Sequence, residues 1–149
     1  MLTFLNLEAE GFCSIGSLHL QLNPTCTILI KAPNGKGKST ILSALVWAIY
    51  GKNLKGVSEV NTWKQVRPKD YKGTKVQVYF QKDSHTYKIV RCQKYDEVLE
   101  DGAKGKDRLI FMKDGDIVDI KGKGKIQDFI NREIGLSYTL FMNSIMFGQ

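Results

Sequence analysis

Apolar and polar positions alternate along several stretches of the chain, and these stretches fix its first elements. Leu2 and Phe4, set among Thr3, Leu5 and Asn6, predict a strand over residues 2 to 8, and SLHLQL at 17 to 22 predicts a second. Asn23-Pro24 marks a turn. TCTILI at 25 to 30 is β-branched and continuously apolar at its end, as a strand buried on both faces requires. From Ser39 to Tyr50 the residues are good helix formers and apolar nearly all round, which predicts a buried helix that Gly51 closes in the left-handed conformation.

The stretch 52–74 carries Gly56, Pro68 and Gly73 among charges and predicts a long connection with little regular structure. KVQVYFQ at 75 to 81 and HTYKIVR at 85 to 91 both alternate around Asp83-Ser84, so they should pair as a hairpin; RLIFMKDGDIVDI at 108 to 120 predicts another around Asp114-Gly115. EDGAKGKD between the hairpins and KGKGK after them are expected to be Gly/Lys loops. From Lys125 the period becomes helical, with Ile126, Phe129, Ile130 and Ile134 on one face and Gly135 as the stop. Ser137 is placed to cap a short helix through Phe141, with NSIMFGQ extended after it. No repeat or low-complexity segment appears, so the expected architecture is one α/β unit over 1–149 with an antiparallel elaboration: a loop at 32–40, a basic β-rich middle at 52–125 and a helical segment at 125–149.

At 42% hydrophobic and 25% charged residues, the composition fits an ordinary globular domain rather than a disordered or fibrous chain. No apolar run approaches the roughly 18 residues of a membrane span, and the amino terminus lacks the basic region and cleavage site of a secretory signal, which predicts a cytoplasmic protein without a membrane partner. Cys13, Cys26 and Cys92 have neither CxxC nor metal spacing and are expected to be small buried hydrophobes. His19 and His85 lack ligand-type neighbours and read as strand histidines. The net charge of +7 is central, because residues 52–125 hold 18 of the 22 Lys/Arg and 11 of the 15 Asp/Glu. Such a patch attracts nucleic acid or other polyanions, or is a solvated surface.

The chemistry concentrates between strand 25–30 and helix 39–50. Ala32, Pro33, Asn34, Gly35, Lys36, Gly37, Lys38 and Ser39 follow the phosphate-loop pattern G-x-x-x-x-G-K-[ST], with Ala32 where the first Gly stands. Glycines let successive backbone N–H groups converge on phosphate oxygens, and the following helix aims its positive end at the same point. Asn34, Gly35, Lys36 and Gly37 would cradle the phosphates, Lys38 would reach the terminal ones, Ser39 would coordinate Mg2+, and Thr40 would donate to the innermost phosphate. A methyl group at Ala32 is strained by about 1 kcal/mol or more only if that position needs a positive φ. The residues themselves argue only for phosphate and magnesium binding.

The loop with its helix, Gly11-Phe12 followed by Ser14, the paired strands and the closing IQDFINREIGLSYTLFMNSIMFGQ resemble the amino-terminal ATPase lobe of SbcC-type DNA repair proteins. That group includes large subunits of phage recombination endonucleases and belongs with SMC and ABC-type ATPases. The resemblance covers nearly the whole chain, most specifically in the loop and in GLSYTLFMNSIMFGQ, which is similar to G-L-x-Y-x-x-F-x-N-S-I-x-x-x-Q. It implies a P-loop NTPase fold with a mixed sheet, and it makes Gln149 the Q-loop residue that touches magnesium and positions the attacking water, beside Lys38 as the second catalytic residue. Ser14 would contact the base from the loop after the first strand, where the basic residue often found in the family is replaced by Gly11 beside Phe12. The implied function is the ATP-binding half of a subunit that dimerises on ATP, contacts duplex DNA and works with an SbcD-type nuclease in end processing, repair or recombination. The coiled coil, signature motif and catalytic acidic strand are not in the sequence, which reads as a fragment that binds ATP weakly and hydrolyses it poorly. Two alternatives stand beside this one: an ABC-type ATPase without a DNA role, and a nucleotide- or nucleic-acid-binding module that never hydrolyses ATP.

In the basic middle, Lys64, Arg67, Lys69 and Lys72 with Trp63 and Tyr71 interleaved form the mixture that binds phosphates and stacks on bases. Lys104, Lys106 and Arg108, and then Lys121, Lys123 and Lys125, form two further clusters. Trp63 has packing against the sheet as an alternative task, while Trp47 is expected in the core.

Overall fold

The computed structural model of the chain describes residues 2–22 and 38–144. The predicted strand 25–30, Cys26, the loop residues 32–37 and the closing stretch 145–149 lie outside the described residues.

Six strands form one sheet in the order β2-β1-β3-β4-β7-β8. They are β1 (Leu2–Phe12), β2 (Ile15–Gln21), β3 (Thr74–Lys82), β4 (His85–Gln93), β7 (Leu109–Lys113) and β8 (Asp116–Ile117). Every pairing among the described residues is antiparallel. Register follows the alternation: Leu7 faces Val78 and Ala9 faces Val76, while Ile89 lies opposite Val78 on one side and Phe111 on the other. These residues share one face and are all buried, because a period of two sends the same side of each strand to the same layer. Phe80, Tyr87 and Phe111 stack across three strands at centroid distances of 4.9 and 5.6 Å.

Helices α1 (Lys38–Tyr50), α2 (Lys123–Ile134) and α3 (Tyr138–Ser144) cover that face. Residues Ala44 to Ile49 are buried without a break, which accounts for a helix that shows no polar stripe. Gly51 ends α1 at φ 76, its N–H donating to Trp47 O at 2.7 Å. Gly135 ends α2 the same way at φ 78, bonded to Asn131 O. Ser137 caps α3, accepting from the Leu140 N–H at 3.2 Å. No helix among the described residues is long and apolar enough to cross a membrane.

Three expectations are corrected. Lys104–Lys106 within EDGAKGKD is not loop but strand β6, paired with β5 (Tyr95–Val98) as a separate two-stranded sheet. It covers a small second core of Val90, Cys92, Tyr95, Leu99 and Ile110. The KGKGK stretch already becomes helix at Lys123, and Asn143 and Ser144 belong to α3 rather than to an extended tail. Segment 52–74 is irregular, as expected, apart from a 3-10 turn at Lys64–Val66 and its last residue, Thr74, which opens β3. Cys92 is buried and Cys13 half-buried.

Candidate functional site

Helix α1 opens at Lys38, so Ser39 and Thr40 sit in its first turn, where backbone N–H groups have no intrahelical acceptor. That turn carries no acidic residue, and its partial positive charge is therefore uncompensated by its own side chains. Ser39, Thr40 and Ser43 line a cleft of about 1500 Å3. Asn34, Gly35, Lys36, Gly37 and Gln149 lie outside the described residues, as does the side chain of Lys38.

The turn between β1 and β2 supplies a second wall through Cys13 and Ser14. Cys13 adopts φ 50, and its N–H donates to Val60 O at 2.7 Å. Burial pushes its thiol up, which keeps it neutral and poorly nucleophilic beside Ser14. The neighbouring Gly11 has φ +61, and a Cβ there would meet Gly73 O at 2.1 Å. No side chain fits at this position without displacing the Gly73 backbone.

A third wall comes from the connection after α1, which the sequence marked only as irregular. Phe12 bridges to Asn61, and Val60 N–H donates to Gln93 Oε1 at 2.8 Å. Asn61 Nδ2 reaches Tyr71 OH at 3.0 Å, Thr74 Oγ1 at 2.8 Å and Gln93 O at 3.0 Å. Its Oδ1 is buried without a hydrogen-bond partner. The Thr62 N–H donates to the Tyr71 hydroxyl at 3.1 Å, and Arg67 ties the 3-10 turn back by donating from Nε to Thr62 O at 2.6 Å while lying 4.6 Å from the Tyr71 ring. This lattice leaves Trp63 79% exposed on the rim, so the packing alternative for Trp63 does not hold. Asn61, Thr62 and Trp63 all line the cleft. Their one mark in the sequence is a pair of short polar residues between Val60 and Trp63, without alternation.

Helix α3 adds Met142 and Asn143 to the lining. The structure thus gathers Ser14, Ser39 and Thr40 around one space, together with Lys64 and Arg67. Lys69 and Lys72 are exposed and are not among its lining residues. Lys72 instead pairs with Glu97 at 3.1 Å. In the second basic cluster, Lys104 pairs with Asp96 at 3.0 Å and Arg108 with Asp101. Trp47 is in the core, its indole N–H donating to Ser58 O at 3.3 Å. His85 lies 2.6 Å from Asp114 and His19 3.8 Å from Glu8, and no cluster of three or more metal-ligating side chains occurs among the described residues.

A family model described as AAA domain matches residues 6–149. Exonuclease subunit 2 of Escherichia phage RB69 is 27% identical over 143 residues, covering 93% of this chain and 23% of that protein; the chain spans about a quarter of that relative's length. Among solved structures, the ATP-bound recombination mediator RecF of the RecFOR pathway is similar with a TM-score of 0.53 and 17% identity, over 84% of this chain and 30% of that one. A structure from work on ATP-driven dimerization and DNA-stimulated activation of SMC ATPases gives 0.54 and 21%, over 91% and 81%. These two likenesses speak to the fold, which is that of a P-loop ATPase. With residues 6–149 matched and the helix start, hairpin turn and rim segment assembled around one cleft, the chain belongs to the AAA domain family and resembles the amino-terminal lobe of SbcC- and SMC-type ATPases.

Proposed function

We propose that the cleft binds Mg-ATP and that the chain is the amino-terminal nucleotide-binding lobe of an SbcC-like ATPase. The observation that carries this reading is the meeting of Ser39 and Thr40, at the uncompensated start of α1, with Ser14 and the Asn61–Arg67 rim across one space. Helix N–H groups and the motif's glycines suit the phosphates, and the hydrogen-bonded rim suits a base. The donor set also fits magnesium. Ser39 would supply a hydroxyl oxygen, with Gln149 as the second ligand, and the ion would neutralise charge on the terminal phosphates when bound.

Within the whole protein, ATP binding would draw two such lobes together, and hydrolysis would release them. Lys38 and Gln149 are the catalytic candidates of this half, and an SbcD-type nuclease and duplex DNA are the proposed partners. Exonuclease subunit 2 of the phage supports the nuclease partnership, and the solved structure concerned with ATP-driven dimerization supports the dimer.

Lys38→Ala tests the reading directly. Loss of a charge-assisted contact to phosphate weakens binding of a fluorescent ATP analogue about ten- to a hundredfold. Unchanged affinity in a folded variant would reject the nucleotide site.

A further inference from the structure

While one end of α1 faces the cleft, its other end is bolted to the segment that leads into α3. Tyr50, the last residue of α1, donates its hydroxyl to Leu136 O at 2.8 Å, in the linker between α2 and α3. Tyr138, the first residue of α3, donates to Asn53 O at 2.7 Å, just beyond α1. The two bonds cross, each segment giving one donor and one carbonyl. The rings meet edge to face at 5.8 Å, and Tyr50 also meets Phe141 at 5.5 Å. Burial raises the Tyr50 phenol well above its ordinary range, so it remains a donor throughout the neutral range.

Ring packing alone would be satisfied by phenylalanine at either position. The hydroxyls add direction, since each must reach one particular carbonyl. What they join is specific. A helix of 13 residues is a rod of about 20 Å, with Ser39 and Thr40 at its open end. Met142 and Asn143, which line the same cleft, lie one helical turn beyond Tyr138. Helix α1 runs from Tyr50 back to Ser39 and Thr40, helix α3 runs from Tyr138 on to Met142 and Asn143, and Asn53, which accepts from Tyr138, itself lines the cleft.

We propose that Tyr50 and Tyr138 are positioning residues whose crossed hydrogen bonds hold the wall bearing Met142 and Asn143 at a fixed separation from the wall bearing Ser39 and Thr40, so that a magnesium-bound nucleotide meets Ser39 at a preset spacing from the opposite wall. This rests on reading the cleft as a Mg-ATP site. Magnesium is the sensitive reporter, because its short oxygen distances and near-octahedral geometry tolerate little displacement.

The test compares Tyr50→Phe, Tyr138→Phe and the double variant in the full-length protein, measuring affinity for a fluorescent ATP analogue with magnesium and with EDTA. Each single variant should leave the EDTA affinity within about twofold of the parent and weaken the magnesium-dependent affinity about three- to tenfold, the effect of one net hydrogen bond. The double variant should lose little more than either single one, because both bonds close the same joint. Variants that melt earlier yet keep the parental magnesium-dependent affinity would reduce the tyrosines to packing and overturn the proposal, as would equal losses with and without magnesium. Ser39→Ala separates the two levels. If Ser39→Ala abolishes the magnesium effect while the tyrosine variants keep it, the joint alone is refuted; if Ser39→Ala keeps it, the magnesium site falls and the joint's role falls with it.

Discussion

Arg91 on β4 donates from Nε to the carbonyl of Ala48 at 2.9 Å, so that a cation from the sheet closes the carboxyl end of helix α1. Its Nη2 reaches Ile49 O at 3.2 Å and also bonds Gln127 of α2. Gln127 in turn donates to Ile49 O at 2.8 Å and to Asn131 Oδ1 at 2.9 Å. Arg91 is only 5% exposed, and burial lowers its guanidinium to about 10, which still leaves it charged at neutral pH. The negative end of the helix dipole and the unpaired terminal carbonyls offset the cost of burying that charge. A lysine has no fork to span the same acceptors. Arg91→Lys should therefore cost about 1–3 kcal/mol in urea unfolding, and Arg91→Met, which strips both carbonyls of their guanidinium donor, should cost at least as much. A parental midpoint in Arg91→Met would show that the cap contributes nothing.

Gly11 makes a close backbone contact next to the Cys13–Ser14 turn. Its φ of +61 already strains any L side chain, and a methyl group would stand 2.1 Å from Gly73 O, where Thr74 Oγ1 also donates to Gly11 O at 2.6 Å. Gly11→Ala should destabilise the fold by roughly 2–5 kcal/mol, combining left-handed strain with overpacking. It should also loosen nucleotide binding by displacing the Cys13–Ser14 turn. Thermal unfolding of the variant, with and without ATP, checks both parts.

The main strands and helices were legible because their burial repeats with a regular period. Val76, Val78 and Phe80 are buried at every second position, and a helix with no polar stripe could only be central. The β5–β6 pair carried no such mark. In Lys104–Lys106 the one buried residue is Gly105, where a Cβ would come within 2.6 Å of the Tyr95 ring; close approach rather than an apolar pattern makes that strand. The rim was not legible. Asn61 and Thr62 are held by Tyr71, Thr74 and Gln93 through side-chain bonds across 9 to 32 positions, and local periodicity carries no trace of such contacts.

Alkaline stability should depend on Tyr87. Burial, with Glu133 accepting its hydroxyl hydrogen bond at 2.8 Å, raises its phenol from 10.0 to about 12. The folded state thus holds a proton that the unfolded state loses first. Its contribution is complete below pH 10 and declines as pH rises from about 10 to 12, by up to about 1.4 kcal/mol per pH unit. Tyr87→Phe should flatten the fall in stability measured by urea unfolding between pH 10 and 12 by up to about one proton. An unchanged slope would show that other groups carry it.

The rim residues separate ligand binding from folding. Trp63 is 79% exposed and Lys64 is exposed beside it, whereas Arg67 is committed to Thr62 O and the Tyr71 ring. Trp63→Ala and Lys64→Ala should leave thermal stability unchanged, but Arg67→Ala should lower it by about 1–2 kcal/mol through the lost hydrogen bond and stacking. If the basic rim contacts duplex DNA, affinity falls steeply with salt, and Lys64→Ala reduces the slope of log K against log salt by about 0.9 for each phosphate contact removed. Trp63→Ala would weaken single-stranded more than duplex binding, since an exposed indole stacks on unpaired bases for about 1–3 kcal/mol. Fluorescence anisotropy from low to moderate salt measures both effects. An affinity that stays flat across that range removes DNA from this face and leaves Trp63 and Lys64 to the nucleotide alone.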